Sequence, residues 1–282
     1  MVGDQGAAGR PAAGLTGGPA AAEVRAAYTA AADRWAAGPE QMYAALARAL
    51  LAAAGVPLAG RRVLDIGAGT GVAARAALAA GAGQVVATDL TADMLGRTGR
   101  QPGRAGTALG RAVADAAALP FLAGSFDLAV AAFCLGYLRS VSAGLAEAHR
   151  VAAALAASMF TPGWTHPAKP AVDAVLGRFG YRPPAWYTAF KQHTEPAAAD
   201  PGRLAGCVAA AGFSAVRLRT TMVATGLSGP AQLAGWRLGM AHVAPFVATL
   251  DPPRRAALRR AAEDAVAGAP PLTVSMTVLT AS

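Results

Sequence analysis

One stretch of the chain combines an acid with closely spaced glycines, a pattern suited to binding a small ligand. It runs from Arg61 to Gly71, with Asp65 at the end of a short apolar run and Gly67 and Gly69 at the alternate positions that lead to Gly71. Glycine lacks the Cβ that would hold a ligand away from the backbone, and N–H groups at the start of a helix can face that ligand. The pattern predicts a buried strand, a glycine turn and a helix, with a carboxylate that favours an ammonium group or a bound water over a pyrophosphate.

Two common glycine motifs do not fit this stretch. A phosphate-binding Walker loop has Lys and then Ser or Thr after its last glycine, whereas Val72 and Ala73 follow Gly71. A dinucleotide-binding fingerprint has its third glycine where this chain has Val72. The pattern acid-x-Gly-x-Gly-x-Gly that begins at Asp65 instead resembles motif I of the class I S-adenosylmethionine-dependent methyltransferases.

Two acids farther along the chain extend this resemblance. Asp89 ends a β-branched run twenty residues beyond Gly69, where an acid can accept both ribose hydroxyls, although it could also merely cap a helix. Asp115 precedes Leu119-Pro120-Phe121, an arrangement that recurs in the same group beside the adenine. The resemblance implies S-adenosylmethionine as cofactor and S-adenosylhomocysteine as product, with cofactor contacts from Tyr28, Asp65, Gly67, Ala68, Gly69, Gly71, Asp89, Leu90, Met94, Asp115, Ala116 and Phe133.

The resemblance also implies a fold. We expect an α/β, Rossmann-like mixed sheet of seven strands in the order 3-2-1-4-5-7-6 with the last strand antiparallel, under a helical cap built from the N-terminus and two insertions. The chain departs from its relatives between Arg150 and Ala154, where their Arg-Pro-Gly-Gly turn is missing. The predicted segments are a disordered tail (1–22), N-terminal cap helices (23–55), the cofactor-binding core (56–160), a cap insertion (161–199), a core helix and strand (200–225), a helical cap insertion (226–270) and the final core strand (271–282).

An acceptor site is expected after the fourth strand and beneath the two insertions. The substrate-binding candidates are Phe133, Cys134, Tyr137, Trp164, Trp186, Tyr187 and Trp236. An alcohol acceptor needs a general base, and histidine is the usual one at neutral pH, so His166, His193 and His242 are catalytic candidates, with packing or surface roles as the alternative. No Cys/His cluster has the spacing of metal ligands, so no metal is predicted.

These features predict methyl transfer to an oxygen or carbon atom of a small, apolar or aromatic metabolite. The reaction would be an in-line displacement that depends on proximity and exclusion of water. The Asn/Asp-Pro-Pro-aromatic motif of amino-group methyltransferases is absent after the fourth strand, where Phe133 and Cys134 stand. One alternative keeps the bound sulfonium as a structural element of a cyclase or isomerase. An RNA methyltransferase is the least favoured reading.

The charge and composition of the chain limit the kinds of partner that it is expected to bind. The formal net charge is +9, but the arginines are scattered apart from Arg254, Arg255, Arg259 and Arg260, which lie on a predicted amphipathic helix and indicate a solvated face rather than a nucleic-acid site. The sequence contains no apolar run long enough to predict a membrane span. Only two cysteines are present, and we expect them to be reduced and buried. The expectation is a cytoplasmic monomer or homodimer that acts on a small molecule.

Overall fold

The computed structural model describes residues 21–98 and 108–282 of the chain. The predicted tail at residues 1–22 therefore lies outside the described residues, except for Ala21 and Ala22, with which the first helix begins. Within the described ranges, no helix combines the length and the apolar character needed to cross a bilayer.

A seven-stranded sheet forms the centre of the molecule in the order β3-β2-β1-β4-β5-β7-β6, which confirms the predicted order. The first five strands run parallel, and β7 pairs antiparallel with both β5 and β6. The strands are β1 (Arg62–Ile66), β2 (Gln84–Asp89), β3 (Ala108–Val113), β4 (Leu128–Ala132), β5 (Leu155–Phe160), β6 (Arg217–Ala224) and β7 (Thr273–Ala281).

Helices connect the strands and cover both faces of the sheet. A 3₁₀ turn at Leu135–Tyr137 follows β4, and a π-helical turn at Phe190–Thr194 follows the seventh helix. The α-helices are α1 (Ala21–Ala37), α2 (Pro39–Ala54), α3 (Val72–Ala79), α4 (Ala92–Gly96), α5 (Val141–Val151), α6 (Ala168–Arg178), α7 (Ala185–Ala189), α8 (Glu195–Ala199), α9 (Pro201–Ala210), α10 (Pro230–Leu238), α11 (Ala244–Thr249) and α12 (Pro252–Ala265).

The central strands are buried on both faces, as a continuous apolar run predicts for parallel strands. Along β1, Val63 belongs to the core beneath α2, α3, α10 and α12, whereas Leu64 belongs to the core beneath α5 and α9. Successive side chains of a strand point to opposite faces, so each central strand contributes to both cores. The sheet is thereby fixed in register, and its strand ends are held in place.

Two regions differ in detail from the sequence-based expectation. Residues 161–199, for which the sequence predicts a cap insertion without assigned helices, contain α6, α7 and α8, because the prolines of this segment lie near helix starts where a missing N–H costs little. Between Arg150 and Ala154 the chain needs no glycine turn. Helix α5 ends at Val151, and Ala152 is already extended (φ −135°, ψ 144°) and bridges to Phe126.

The N-terminal helices lie against the second insertion at two glycines. A Cβ on Gly38, between α1 and α2, would lie 2.4 Å from the carbonyl oxygen of Gly235 in α10. A Cβ on Gly239, just after α10, would lie 2.6 Å from the carbonyl oxygen of Arg34 in α1. Backbone therefore packs directly on backbone where the two parts of the cap meet.

This contact can be tested with two glycines of the same segment. Gly239→Ala should lower the free energy of unfolding by at least about 1 kcal/mol, because the backbone on the facing helix cannot yield as a flexible side chain can. Gly235→Ala is the matched control: its Cβ would meet nothing within 4 Å, so it should be neutral or stabilise the helix by about 0.5–1 kcal/mol. Urea unfolding of both variants is the measurement, and equal effects would contradict the close contact.

Candidate active site

The glycine turn after β1 adopts the conformation that its composition predicts. Gly67, Gly69 and Gly71 have φ of +64°, +55° and +82°, in the left-handed region that side chains disfavour. A Cβ would also lie 2.6 Å from Cβ of Cys134 at Gly67, and 2.2 Å from Cγ2 of Thr98 at Gly71. The turn is thus defined by both backbone geometry and close packing.

This turn forms one wall of a pocket at the carboxyl ends of β1, β2, β3 and β4, here called the strand-end pocket. It is bounded by Asp65 and the glycine turn, by Asp89 at the end of β2, by Ala114 and Ala116 after β3 and by Phe133 after β4. In open α/β sheets, ligands bind at this edge, where the strand order reverses. The topology therefore brings these residues together although they are far apart in the sequence.

Asp65 presents a buried carboxylate to the strand-end pocket. Its Oδ2 accepts a hydrogen bond from the backbone N–H of Ala74 at 2.8 Å, whereas its Oδ1 is buried with no partner. Burial raises the pKa of Asp65 to about 7, and the neighbouring Asp89 adds to the effect. A buried carboxylate oxygen without a partner is costly, and a bound cation or hydrogen-bond donor would satisfy it.

Asp89 connects the glycine turn to the end of β2. Its Oδ2 accepts the N–H of Gly69 at 2.8 Å and its Oδ1 accepts the N–H of Thr91 at 2.9 Å. Burial raises the pKa of Asp89, and these two hydrogen bonds oppose the rise. Each carboxylate oxygen has a further lone pair, so Asp89 can also accept hydrogen bonds from two hydroxyl groups of a ligand in the pocket.

All but two of the residues predicted to contact the cofactor line the strand-end pocket. The exceptions are Gly71, which turns the chain into α3, and Asp115. The Asp115 side chain accepts the N–H of Ala117 at 2.9 Å and lies 3.7 Å from Arg139, so it stabilises its own turn. Ala114 and Ala116, on either side of Asp115, form the pocket wall at this point.

Aromatic side chains from the N-terminal helices close the pocket from above. Tyr28 of α1 meets Tyr137 edge to face at 5.8 Å, and Trp35 stacks on Tyr43 of α2 at 5.0 Å. Of these four aromatic residues, the sequence singles out Tyr28 and Tyr137 as site candidates but not Trp35 or Tyr43. Tyr43 directly follows Met42, which begins the apolar stripe Met42, Leu46 and Leu50 of α2. An aromatic residue directly beside such a stripe would have been the signal for this wall.

Phe133 occupies an unusual backbone position at the end of β4. Its φ is +56°, a conformation that non-glycine residues rarely adopt, and its N–H donates to the carbonyl oxygen of Ser158 at 3.0 Å. Its ring meets those of Tyr43 and Phe160, with centroids 5.5 and 4.6 Å apart. Backbone strain of this kind persists where the surroundings enforce it and is frequent at functional sites.

A second cavity, here called the cap cavity, adjoins the strand-end pocket beneath the two insertions. Tyr43 and Tyr137 line both spaces and stand between them. The cap cavity has an aromatic wall of Phe160, Trp164, Tyr187 and Trp236. Its charged lining residues are Lys169, Lys191, Glu195, Asp200 and Arg237.

The predicted substrate-binding residues divide between the two spaces. Phe133, Cys134 and Tyr137 line the strand-end pocket, and Trp164, Tyr187 and Trp236 line the cap cavity. Trp186 lines neither, because it packs on Val24 and Ala27 of α1. Burial raises the pKa of the Cys134 thiol, which donates to the carbonyl oxygen of Ile66 at 3.2 Å, so the thiol is a packing group rather than a nucleophile.

No histidine lines either cavity in the part of the chain that the structure describes. His166 is buried, and its Nδ1 accepts the N–H of Ala168 at 3.2 Å at the start of α6. His242 is buried and stacks on Tyr187 at 3.6 Å, and burial and nearby cations lower its pKa. His193 is exposed on the π-helical turn. These positions give each of the three a packing or surface role in this structure.

Neither a metal site nor a cluster of inward-facing arginines is found among the described residues. No group of three or more His, Cys, Asp or Glu side chains in these ranges could hold a metal ion. Arg254, Arg259 and Arg260 of α12 are exposed, and Leu258 is buried on the opposite face. Arg255 is partly buried and donates to the carbonyl oxygen of Leu250 at 2.8 Å, so three of the four predicted cluster arginines lie on the solvated face.

Residues 63–154 match a family model described as a methyltransferase domain. In a search of curated proteins, no sequence match was found. Among solved structures, the chain is similar to the [4+2]-cyclase SpnF, with 17% identity, a TM-score of 0.59, and coverage of 95% of this chain and 97% of SpnF.

Two further structures share the fold. A protein from Anabaena variabilis, described as a methyltransferase of an antibiotic biosynthesis pathway, is 12% identical with a TM-score of 0.57, over 83% of this chain and 95% of that one. A phosphoethanolamine N-methyltransferase from Haemonchus contortus, in complex with phosphomonomethylethanolamine and S-adenosylhomocysteine, is 17% identical with a TM-score of 0.50 over 84% of this chain. The chain spans about half the length of that enzyme, 52%.

The buried Asp65 generates a testable pH dependence. Because its pKa is higher in the folded state than in the unfolded chain, folding takes up a proton between about pH 4 and pH 7, and stability falls as the pH rises through that window. The free energy of unfolding of the wild type, relative to that of Asp65→Asn, should therefore fall by at least about 1 kcal/mol between pH 4.5 and pH 7.5.

Urea unfolding at the two pH values measures this difference. Asp93→Asn is the control, because Asp93 is exposed on α4 and does not line the pocket. The free energy of unfolding of Asp93→Asn should differ from that of the wild type by the same amount at both pH values. A pH-independent difference for Asp65→Asn as well would contradict a buried Asp65 that is protonated near neutrality.

Proposed function

We propose that the chain is an S-adenosylmethionine-dependent enzyme that methylates a small molecule, because its sheet has the strand order of the class I methyltransferase fold and residues 63–154 match a methyltransferase domain model. The cofactor occupies the strand-end pocket and the acceptor occupies the cap cavity. One observation carries the proposal: the pocket that contains Asp65, the glycine turn and Asp89 adjoins a second cavity, and Tyr43 and Tyr137 line both of them.

The chemistry of the pocket residues fits this cofactor end to end. The unpartnered Oδ1 of Asp65 is suited to the ammonium of the methionine part, and the oxygens of Asp89 are suited to the two ribose hydroxyls. Leu90 and Met94 offer apolar contact to the adenine opposite Ala116. Solved neighbours with S-adenosylmethionine or S-adenosylhomocysteine bound support this assignment.

The bound cofactor supplies an electrophilic methyl group on a sulfonium. The contribution of the protein is to align an acceptor atom with that group and to exclude water from the line of attack. Tyr43 and Tyr137 line both spaces, and Phe133 borders the strand-end pocket beside Tyr43. Burial raises the pKa of Tyr43 well above the usual value, so Tyr43 remains protonated and can donate a hydrogen bond to the acceptor.

The acceptor atom is an oxygen or carbon of a molecule with an apolar or aromatic body. The aromatic walls of the cap cavity, with a volume of about 390 Å³, support this choice. A phenol, carboxylate or enolate acceptor needs little help from a base, in agreement with the positions of the histidines outside both cavities. The proposed enzyme is a cytoplasmic monomer or homodimer.

A second candidate function is a cyclisation or isomerisation in which the bound cofactor is retained without transferring its methyl group. The similarity to SpnF over nearly the whole of both chains supports this second candidate. It is also supported by the described histidines, since none of them lines either cavity as a base for methyl transfer. Incubation with S-adenosylmethionine and a panel of aromatic acceptors separates the two. Methyl transfer predicts release of S-adenosylhomocysteine and a product heavier by about 14 mass units, whereas a cyclisation gives a product of unchanged mass.

The role of Asp89 in binding gives a direct test. Asp89→Ala removes the acceptor of both ribose hydroxyls and frees the N–H of Gly69, so the affinity for S-adenosylhomocysteine should fall at least tenfold, about 1.4 kcal/mol. Calorimetric titration is the measurement, and circular dichroism checks that the variant is folded. Asp93→Asn is the matched control and should bind as the wild type does. An unchanged affinity in folded Asp89→Ala would remove Asp89 from the site.

A further inference from the structure

The cap cavity is lined by three cations, Lys169, Lys191 and Arg237, and by two acids, Glu195 and Asp200. Lys191 pairs with Glu195, and Arg237 pairs with Asp173 of α6 at 2.6 Å. The remaining acid of the lining, Asp200, caps α9 by accepting the N–H of Arg203 at 2.7 Å. Among the described residues, Lys169 has no carboxylate within 4.0 Å, so its ammonium is the cation of this cavity without a counter-ion.

Lys169 is held in place by an aromatic ring rather than by an acid. Its Nζ lies 4.9 Å from the ring centroid of Trp164, within the range of a cation–π contact. Burial and the nearby Lys191 and Arg237 lower the pKa of Lys169 to about 8. An anion bound here would relieve this repulsion and restore the charged form of the side chain.

Arg237 also lines this cavity, although its unpartnered Nε is not exposed to it. Its side chain is only 4% exposed, yet its Nε is buried without a hydrogen-bond partner. A guanidinium carries five N–H donors in a planar fork that matches a carboxylate or a phosphate. Asp173 occupies one of these donors, which leaves others for a ligand.

Two aromatic rings of the cap cavity separate Lys169 from Phe133 at the edge of the strand-end pocket. Phe133 borders the strand-end pocket, the ring of Phe160 follows at 4.6 Å, and Trp164 stacks on Phe160 at 4.9 Å with an interplanar angle of 9°. Lys169 lies beyond Trp164, two rings away from Phe133. At that distance its ammonium can anchor one end of a flat molecule while the other end reaches the methyl group.

We propose that the cap cavity binds a flat, anionic acceptor, with a carboxylate or phosphate group held by Lys169 and Arg237 and an aromatic body lying along Phe160 and Trp164. That the bound anion is the methyl acceptor rests on the proposed function, whereas the anion site itself is a property of the cavity. It makes the acceptor more polar at one end than the apolar or aromatic metabolite that the sequence predicts.

The test uses three probes that share one ring system: 2-naphthoate, 2-naphthyl phosphate and the uncharged 2-naphthamide. Each is titrated by calorimetry into the full chain, with and without saturating S-adenosylhomocysteine. At least one of the two anions should bind about tenfold or more tightly than the amide, because a charge-assisted hydrogen bond in a partly buried site is much stronger than a neutral one. The stronger of the two anions identifies carboxylate or phosphate as the preferred group.

Variants assign this preference to Lys169. Lys169→Met keeps the length of the side chain and should reduce the preference to about twofold or less, whereas Lys169→Arg should retain it. Arg260→Met removes an exposed arginine of α12 and should leave the preference unchanged. Circular dichroism confirms folding of each variant.

The outcomes separate the anion site from the proposed function. Amide binding as tight as that of both anions, no binding of either anion, or a preference that survives in Lys169→Met would overturn the anion site. Failure to bind S-adenosylhomocysteine, with the anion preference intact, would overturn the proposed function and leave the anion site standing.

Discussion

The hydrogen bond from the N–H of Gly69 to the carboxylate of Asp89 joins the two strand ends on which the strand-end pocket depends. It can form only because Gly67, Gly69 and Gly71 adopt left-handed conformations that bring the loop over the end of β2. The parallel register of β1 and β2, with Ile66 opposite Thr88, places the donor and the acceptor at the same edge of the sheet. A side chain at Gly67 or Gly71 would displace this loop, and the carboxylates of Asp65 and Asp89 that hydrogen-bond to it and to α3 would move with it.

The sequence predicts that these residues lie at one edge of the sheet because the signals are local or follow from topology. Glycines at alternate positions require a turn, and an acid after each of two apolar runs must lie at the carboxyl edge of a parallel sheet. Asp115 differs from these acids because its side chain does not line the strand-end pocket in this structure. Nothing in the sequence shows that its carboxylate is used by the N–H of Ala117, which leaves the adjacent Ala114 and Ala116 to form the pocket wall.

The cap is less predictable because its contacts connect segments that are distant in the chain. Lys169 and Trp164 come from one insertion and Arg237 from the other, and only the folded arrangement places them in one cavity. Likewise, the stripe of α2 indicates a buried face but does not show that Tyr43 separates two cavities. The aromatic content of residues 161–199 indicates a binding region, whereas its prolines conceal three short helices. Side-chain charge in such a region becomes informative only when its ion pairs are known.

The measurement that tests the central claim most directly is calorimetric titration of the purified chain with S-adenosylmethionine and S-adenosylhomocysteine, after mass spectrometry has shown that neither is already bound. A pocket that offers Asp65 to an ammonium and Asp89 to a ribose should bind one molecule of either ligand with a dissociation constant in the micromolar range, about −8 kcal/mol. Absence of binding by a folded, ligand-free protein would contradict the assignment of the strand-end pocket.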